Sequence, residues 1–429
     1  MLAICQGQIA KTCLSVVIQT SRGPPNHTNW LIYCMAVSAR DALLLVTNSL
    51  ERVKTVGVVG AGVIGACVAF SLAQRGVRVH CVERAQPGGL TTDVSFARLS
   101  AYQQPTYPRF ELSHTGMIEH IRFANQFASA PWWHPTGSLA WSDAAGTGGA
   151  GTSESFSEVV DRLSAWGYRA IWYDPAQANR DWEPGIAFPH GQASIVRFPD
   201  EGWVDGPRLV SALIKSAMRS GHLKVWKGAV EEIRVRGGRV VALRLDNQAV
   251  IEVDAVVNAA GPEALTVAAA LGAPMSGAVA RRSSLVVDLA ANGDPLRHVL
   301  RGAEAHLRSA GPGRVRVRSD QVDVGLPAEI RSEPGDEIVK DLLDRVYRTV
   351  PALASSAVER VRIGAAVFPS DGFPSVGALS GISGYFEAFA NSGITLAPLI
   401  GRTLATQIVT GEIHPLWGRC SPDRLRVAS

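Results

Sequence analysis

Long apolar runs, a surplus of charge and closely spaced cysteines are what this 429-residue chain lacks. The short runs Leu14–Ile18 and Leu43–Val46 fall far below the ~20 residues of a membrane-spanning helix, so no transmembrane segment is expected. No basic stretch leads into a sustained apolar segment with a small-residue cleavage site, which argues against a secretory signal. With 42 basic and 38 acidic residues the net charge is +4, too balanced for a nucleic-acid-binding surface. The six cysteines, at positions 5, 13, 34, 67, 81 and 420, show neither C-x-x-C nor metal-ligand spacing. No metal site is expected, and the pattern suits a cytoplasmic protein. The rest of the composition, 46% hydrophobic and 19% charged, is that of a globular protein long enough for two or three domains. Residues 1–53 carry little periodicity and read as a poorly ordered extension.

What is present is concentrated in Thr55–Ala85. A short apolar strand (Val56, Val58, Val59) turns on Gly60, Gly62 and Gly65 in the pattern G-x-G-x-x-G. A helix follows, with Ala66, Ala69, Phe70 and Ala73 on one face, and Gly76 is placed to end it. A second strand, Val77 to Val82, delivers Glu83 at its tip. Gly60 permits a tight turn, Gly62 removes a Cβ that would block a pyrophosphate, and Gly65 lets helix and strand pack closely. The helix N-terminus directs free N–H groups at phosphate, and an acid 18 residues after Gly65 is positioned to accept from a ribose hydroxyl. The stretch reads as a site for an adenine dinucleotide, either FAD or NAD.

The remaining chain narrows that choice. After Glu83 a loop rich in Gly, Thr and Ser offers the hydroxyls of Thr91, Thr92 and Ser95. Residues 107–200 hold six of the ten tryptophans and read as an inserted unit with its own core, including an amphipathic helix over Ser155–Trp166 and a flexible loop at Gly146–Gly151. Three strands, Gly228–Val235, Arg239–Leu245 and Val250–Val253, form a meander joined by Gly-Gly and Asp-Asn turns. The strand Ala255–Val257 then ends in Ala259, Ala260 and Gly261, small enough to let a ligand approach backbone. Such a meander fits flavoproteins better than NAD dehydrogenases. Arg314, Arg316 and Arg318 alternate along a strand and read first as one solvated face, or else as the lining of a pocket for an acidic substrate. Near the C-terminus a buried strand precedes Asn391-Ser392-Gly393 and a helix over Ile394–Val409, with Pro398 one turn inside, where a missing N–H costs least. That helix N-terminus is placed to stabilise negative charge on a reduced flavin.

With these motifs in order, from about Lys54 onward the chain resembles the FAD-dependent oxidoreductases of the D-amino acid oxidase, glycine oxidase and sarcosine oxidase family. The resemblance implies an α/β fold: a Rossmann-like FAD-binding domain assembled from 54–106, 201–280 and 356–429, plus an α+β substrate domain with a mixed sheet from 107–200 and 281–355. It implies that Gly60, Ala61, Gly62, Val63, Ile64 and Gly65 hold the pyrophosphate, that Glu83 takes the ribose, and that Arg84 lies beside it. Thr91, Thr92, Ser95, Phe96 and Ala97 run along phosphates and ring. Val230 meets adenine, and Ala260 and Gly261 approach the adenosine. Gly364, Asp371, Gly372, Gly393, Ile394 and Thr395 surround ribityl and flavin. No cysteine is aligned for a covalent link, so the FAD is expected to be noncovalent.

The implied chemistry is hydride transfer from a carbon bearing an amine to the flavin, giving an imine that hydrolyses. The electron acceptor, O2 or another carrier, is open. The resemblance also exposes departures. Where relatives place a carboxylate-binding arginine this chain has Ala366, their usual histidine is Asn391, and their tyrosine is His306. Arg98, His306, Asn391, and Arg316 or Arg318 are the candidates for the substrate pocket. The alternatives are an NAD(P)-dependent oxidoreductase and a flavin-binding subunit without catalysis.

Overall fold

The computed structural model describes residues 53–102, 104–142, 154–189, 191, 194–327 and 335–426. Residues 1–52 of the expected extension and the loop Gly146–Gly151 lie outside them.

The alternating valines after Lys54 form strand β1 (Thr55–Val59), followed by helix α1 (Val63–Ala73) and strand β2 (Arg78–Glu83). β1 pairs in parallel with β2, Val56 opposite Val79 and Val58 opposite Cys81, and on its other side with Ala255–Asn258. The sheet has six strands, in the order Ser375–Ala378, Tyr385–Phe389, Ala255–Asn258, β1, β2, Leu223–Lys227, parallel except for its first strand. The strand Leu223–Lys227 is not among the expected elements. The meander is formed as expected, over Val230–Arg236, Arg239–Leu245 and Val250–Glu252.

One correction concerns α1. Spacings of three and four suggest a single buried face, but every residue from Val63 to Ala73 is buried. Two helices, Gly206–Arg219 and the C-terminal helix, both pack on it and leave it no solvent side.

A small three-stranded sheet contains strand β3 (Arg98–Leu99), paired to Gly202–Val204 with Arg98 opposite Trp203. An eight-stranded mixed sheet has β4 (Val279–Ala290), β5 (Arg314–Arg318) and β6 (Ala357–Pro369) at one side, in the order β6-β4-β5. β4 and β6 pair antiparallel along nearly their whole length, Ser284 opposite Gly364 and Arg282 opposite Ala366. β6 thus runs in this sheet, whereas the sequence division groups its residues with the FAD segments.

The arginines of β5 do not share a solvated face. Arg314 is exposed, but Arg316 is 8% exposed and bonds Asp288 on β4 at 2.7 and 3.0 Å.

Helix α2 (Tyr107–Ala124) and helix α3 (Gly393–Thr410) cross closely, because a side chain at Gly116 would meet the Thr395 carbonyl. A side chain at Gly401 would likewise meet the Cys67 backbone of α1. Pro398 is the sixth residue of α3, beyond the first turn, so its missing N–H is not one that would have gone free anyway. The carbonyl left without its helical donor is that of Ile394. His120 of α2 takes that place, its Nε2 donating to Ile394 O at 2.8 Å.

Candidate functional site

Five parallel strands end side by side, and a cavity of about 520 Å³ follows their carboxyl ends. It is lined by Gly60 after β1, Glu83 and Arg84 after β2, Gly228 to Val230 after Leu223–Lys227, Ala259 to Gly261 after Ala255–Asn258, and Ala390 to Ile394 after Tyr385–Phe389. This is where open α/β sheets bind ligands, since loops diverge there and helix N-termini converge.

Local geometry shows why these residue types stand here. Gly60 has φ of +97°, and a side chain on Gly65 would run into the Gly60 carbonyl, so turn and helix approach only through glycines. Gly62 and Val63 face the cavity, and Thr92 Oγ1 accepts from Val63 N–H at 3.0 Å, tying the Thr91–Ser95 segment to the start of α1. The buried Glu83 carboxylate accepts from Ala61 N–H at 2.8 Å and Ala85 N–H at 2.9 Å. Arg84 is exposed at the rim, 3.6 Å from Glu263. The glycine cradle, the helix N-terminus and the acid after β2 fit an adenine dinucleotide. Ala61 and Gly65 shape this cavity from behind without lining it.

Thr91, Val94, Ser95, Gly364, Ala366, Asn391, Gly393 and Ile394 also line a second cavity of about 840 Å³. The two cavities therefore meet at the N-terminus of α3. Ser392, at its N-cap, makes no side-chain capping bond, and the first-turn N–H groups face this junction. Phe96, Ala97 and Thr395 belong to the second cavity. Asp371 and Gly372 line neither: Asp371 binds Arg424 at 2.7 Å, and Gly372 packs beside the Arg109 guanidinium.

Among the candidates for substrate contact, Arg98, Asn391 and Arg318 face the second cavity, while His306 and Arg316 do not. The half-buried guanidinium of Arg98 forms no ion pair with the described residues, although the Glu201 and Asp320 carboxylates lie near enough to favour its charge. Burial, with Arg301 close by, pushes its pKa down to about 9, so it stays cationic at neutral pH. His306 sits one layer behind, its Nε2 donating to Asp320 at 2.9 Å, and burial pushes it down to about 4. Asp320 is the residue that reaches the cavity. Burial favours its neutral form, yet the His306 bond and the Arg318 charge hold it well below the carboxylate range. Arg318 binds Asp320 and, at 2.7 Å, Asp323.

Arg316 has a different task. Its Nη1 donates to the carbonyls of Asp93 and Ser95 at 2.8 and 2.9 Å, while Asp288 holds the rest of the guanidinium. Arg362 on β6 joins Asp288 and binds Asp93 at 2.6 Å. The network clamps the segment on which Thr91, Thr92 and Ser95 stand.

Sequence reasoning missed Asp288, Arg362, Asp320 and Arg282 because nothing local marks them. It also missed Glu201, fully buried, which accepts from Ser100, Ser138 and Tyr168 hydroxyls at 2.5, 2.6 and 2.7 Å close to Arg98.

The described cysteines Cys67, Cys81 and Cys420 are free and buried, and among the described residues no cysteine, histidine or tyrosine lines the first cavity. Among the described residues no helix is long and apolar enough to cross a membrane.

Comparison with known proteins agrees with this geometry. The bifunctional protein ThiO/ThiG of Synechocystis sp. is 26% identical over 387 residues, covering 87% of this chain and 54% of that protein. The chain thus spans about half that relative's length. Glycine oxidase from Geobacillus kaustophilus superposes with a TM-score of 0.73 at 21% identity, covering 85% of this chain and 97% of that one. L-proline dehydrogenase from P. horikoshii gives 0.75 at 18% identity, covering 87% and 98%. At these identities the two structures establish the shared fold. The FAD dependent oxidoreductase (DAO) family matches residues 55–407, most of the chain, which removes the NAD(P)-dependent alternative. A dinucleotide cradle at the strand ends, a second cavity opening from it and this match lead to one assignment: the chain belongs to the DAO family of FAD-dependent oxidoreductases.

Proposed function

We propose that this chain oxidises an amine or amino acid at the carbon bearing the nitrogen. The observation that carries the reading is Arg98, a cation in no ion pair with the described residues, in a cavity that opens onto the FAD cavity. FAD, when bound, would accept a hydride from that carbon, and the imine so produced would hydrolyse in water to an oxo acid or aldehyde.

The remaining work belongs to this chain's own residues. Arg98 would grip the substrate carboxylate and so hold the reacting carbon at the junction, where orientation supplies most of the rate. Asn391 stands at the same junction, its side chain making no hydrogen bond to the described residues, and would offer its amide to substrate or cofactor. The first turn of α3 would stabilise negative charge that develops there. Gly60 to Ile64, Glu83 and Ala260–Gly261 would hold the dinucleotide without a covalent link. The six-stranded sheet would serve as the FAD domain and the eight-stranded sheet as the substrate domain. Free buried cysteines accord with a cytoplasmic location.

The test is anaerobic mixing of the FAD-loaded protein with D- and L-amino acids, N-methyl amino acids and opines. Bleaching of the flavin absorbance is expected with at least one amine, and Arg98→Ala should slow it at least tenfold. Admission of oxygen then distinguishes O2 from another acceptor. If no amine bleaches the flavin, the reading fails in favour of a noncatalytic flavin-binding subunit.

A further inference from the structure

Among the described residues seven charged side chains line the second cavity, and pairing them off leaves two. Arg318 is bound by Asp320 and Asp323, Arg162 by Glu154 at 2.8 Å, and Arg281 lies 3.6 Å from Glu263. Arg98 and Arg282 form no ion pair with the described residues, although Glu201 and Asp320 lie near enough to Arg98 to favour its charge. They come from different sheets, Arg98 from β3 and Arg282 from β4.

Arg282 is exposed, but its position is fixed by its neighbours. In the β4–β6 register it stands directly opposite Ala366, so both side chains project from the same face, about 5 Å apart at Cβ. The small Ala366 leaves the space beside it to the longer neighbour. Phe368, two residues along β6 and so on that face too, lies under the guanidinium, 4.9 Å from ring centroid to Cζ. The ring holds the group in place while leaving its N–H edge free, and all three residues line the cavity.

Arg98 lies at the other reference point. Its carbonyl accepts from Thr395 Oγ1 at 3.4 Å, which places β3 against the first turn of α3. A cavity of about 840 Å³ is also at the large end of the ~300–1,000 Å³ typical of small-molecule sites, more than a small amino acid needs.

We infer that the substrate carries two carboxylates, one gripped by Arg98 beside the reacting carbon and the other by Arg282 against Phe368. Arg282 is then the residue that sets specificity. The inference rests on the amine-oxidation reading for what happens to the substrate, but the two-anion site itself is tested by binding alone.

The probes are succinate, glutarate and adipate, each compared with the monocarboxylate of equal length (butyrate, pentanoate, hexanoate), titrated into the FAD-loaded full-length protein by calorimetry. At least one diacid should bind ten times more tightly than its monoacid. Arg282→Ala should erase that preference and leave monoacid affinity unchanged, Arg282→Lys should restore part of it, and Arg98→Ala should weaken both classes. Equal affinity for diacids and monoacids, or a preference that survives Arg282→Ala, overturns the inference. A diacid preference in a protein whose flavin no amine bleaches would keep the two-anion site and reject amine oxidation. Bleaching by monocarboxylic amines as efficient as by their dicarboxylic counterparts would do the reverse.

Discussion

Pro398 deprives the Ile394 carbonyl of its helical donor, and His120 on another helix replaces it. The arrangement requires His120 to be neutral with its proton on Nε2, and burial, opposed only in part by that bond, pushes its pKa down to about 4. His120→Phe fills the same space without the donor and leaves a buried carbonyl unsatisfied. That should cost about 1–3 kcal/mol in chemical denaturation. His120→Gln, which can still donate, should cost less; equal losses in both would show that only ring packing matters. Neither residue hints at the other in sequence, since 278 positions separate them. Gly60 and Gly65 are the opposite case, because the turn they serve closes within six residues and is legible from their spacing.

At the scale of elements, the clamp on Thr91–Ser95 joins three segments far apart in sequence. Asp288 on β4 faces Arg316 on β5 and Arg362 on β6, and both arginines reach the Asp93 backbone or side chain. Removing one member of a buried charge network costs about 3–5 kcal/mol, because the others keep their desolvation without their partner. Asp288→Asn is therefore expected to loosen the segment and weaken FAD binding at least tenfold in a fluorescence titration. A lower melting temperature with unchanged FAD affinity would reduce Asp288 to a purely structural role. The β5 arginines also show how far pattern reading goes. Alternation identifies the strand correctly, but whether Arg316 faces water depends on β4 supplying Asp288 next to it.

For the whole molecule, the buried histidines set an acid limit. His120 and His306 have folded pKa values near 4 against 6.5 when unfolded, and His80, His114, His134 and His414 shift in the same direction. Between these limits the unfolded chain binds protons that the folded chain refuses, so stability rises with pH there. Their contribution is complete above pH 6.5 and is lost progressively as pH falls toward 4. Each of the two most buried histidines contributes a slope of up to about 1.4 kcal/mol per pH unit. Urea midpoints measured at pH 7.5, 6 and 5 should fall steadily; an unchanged midpoint across that range would contradict the buried, neutral assignment.

By itself the sequence determined the dinucleotide unit, the meander and the C-terminal helix, because glycine turns, valine alternation and chain-local caps act within a few residues. Only the tertiary structure decided which charges remain available. Arg316, on the strand read as solvated or pocket-lining, is consumed by Asp288, and His306 is turned toward Asp320. Arg282, which nothing local distinguishes, is brought beside Ala366 by strand pairing across more than 80 residues. An ionic group's role depends on what its partner is and whether water reaches it, and in this chain long-range pairing supplies both.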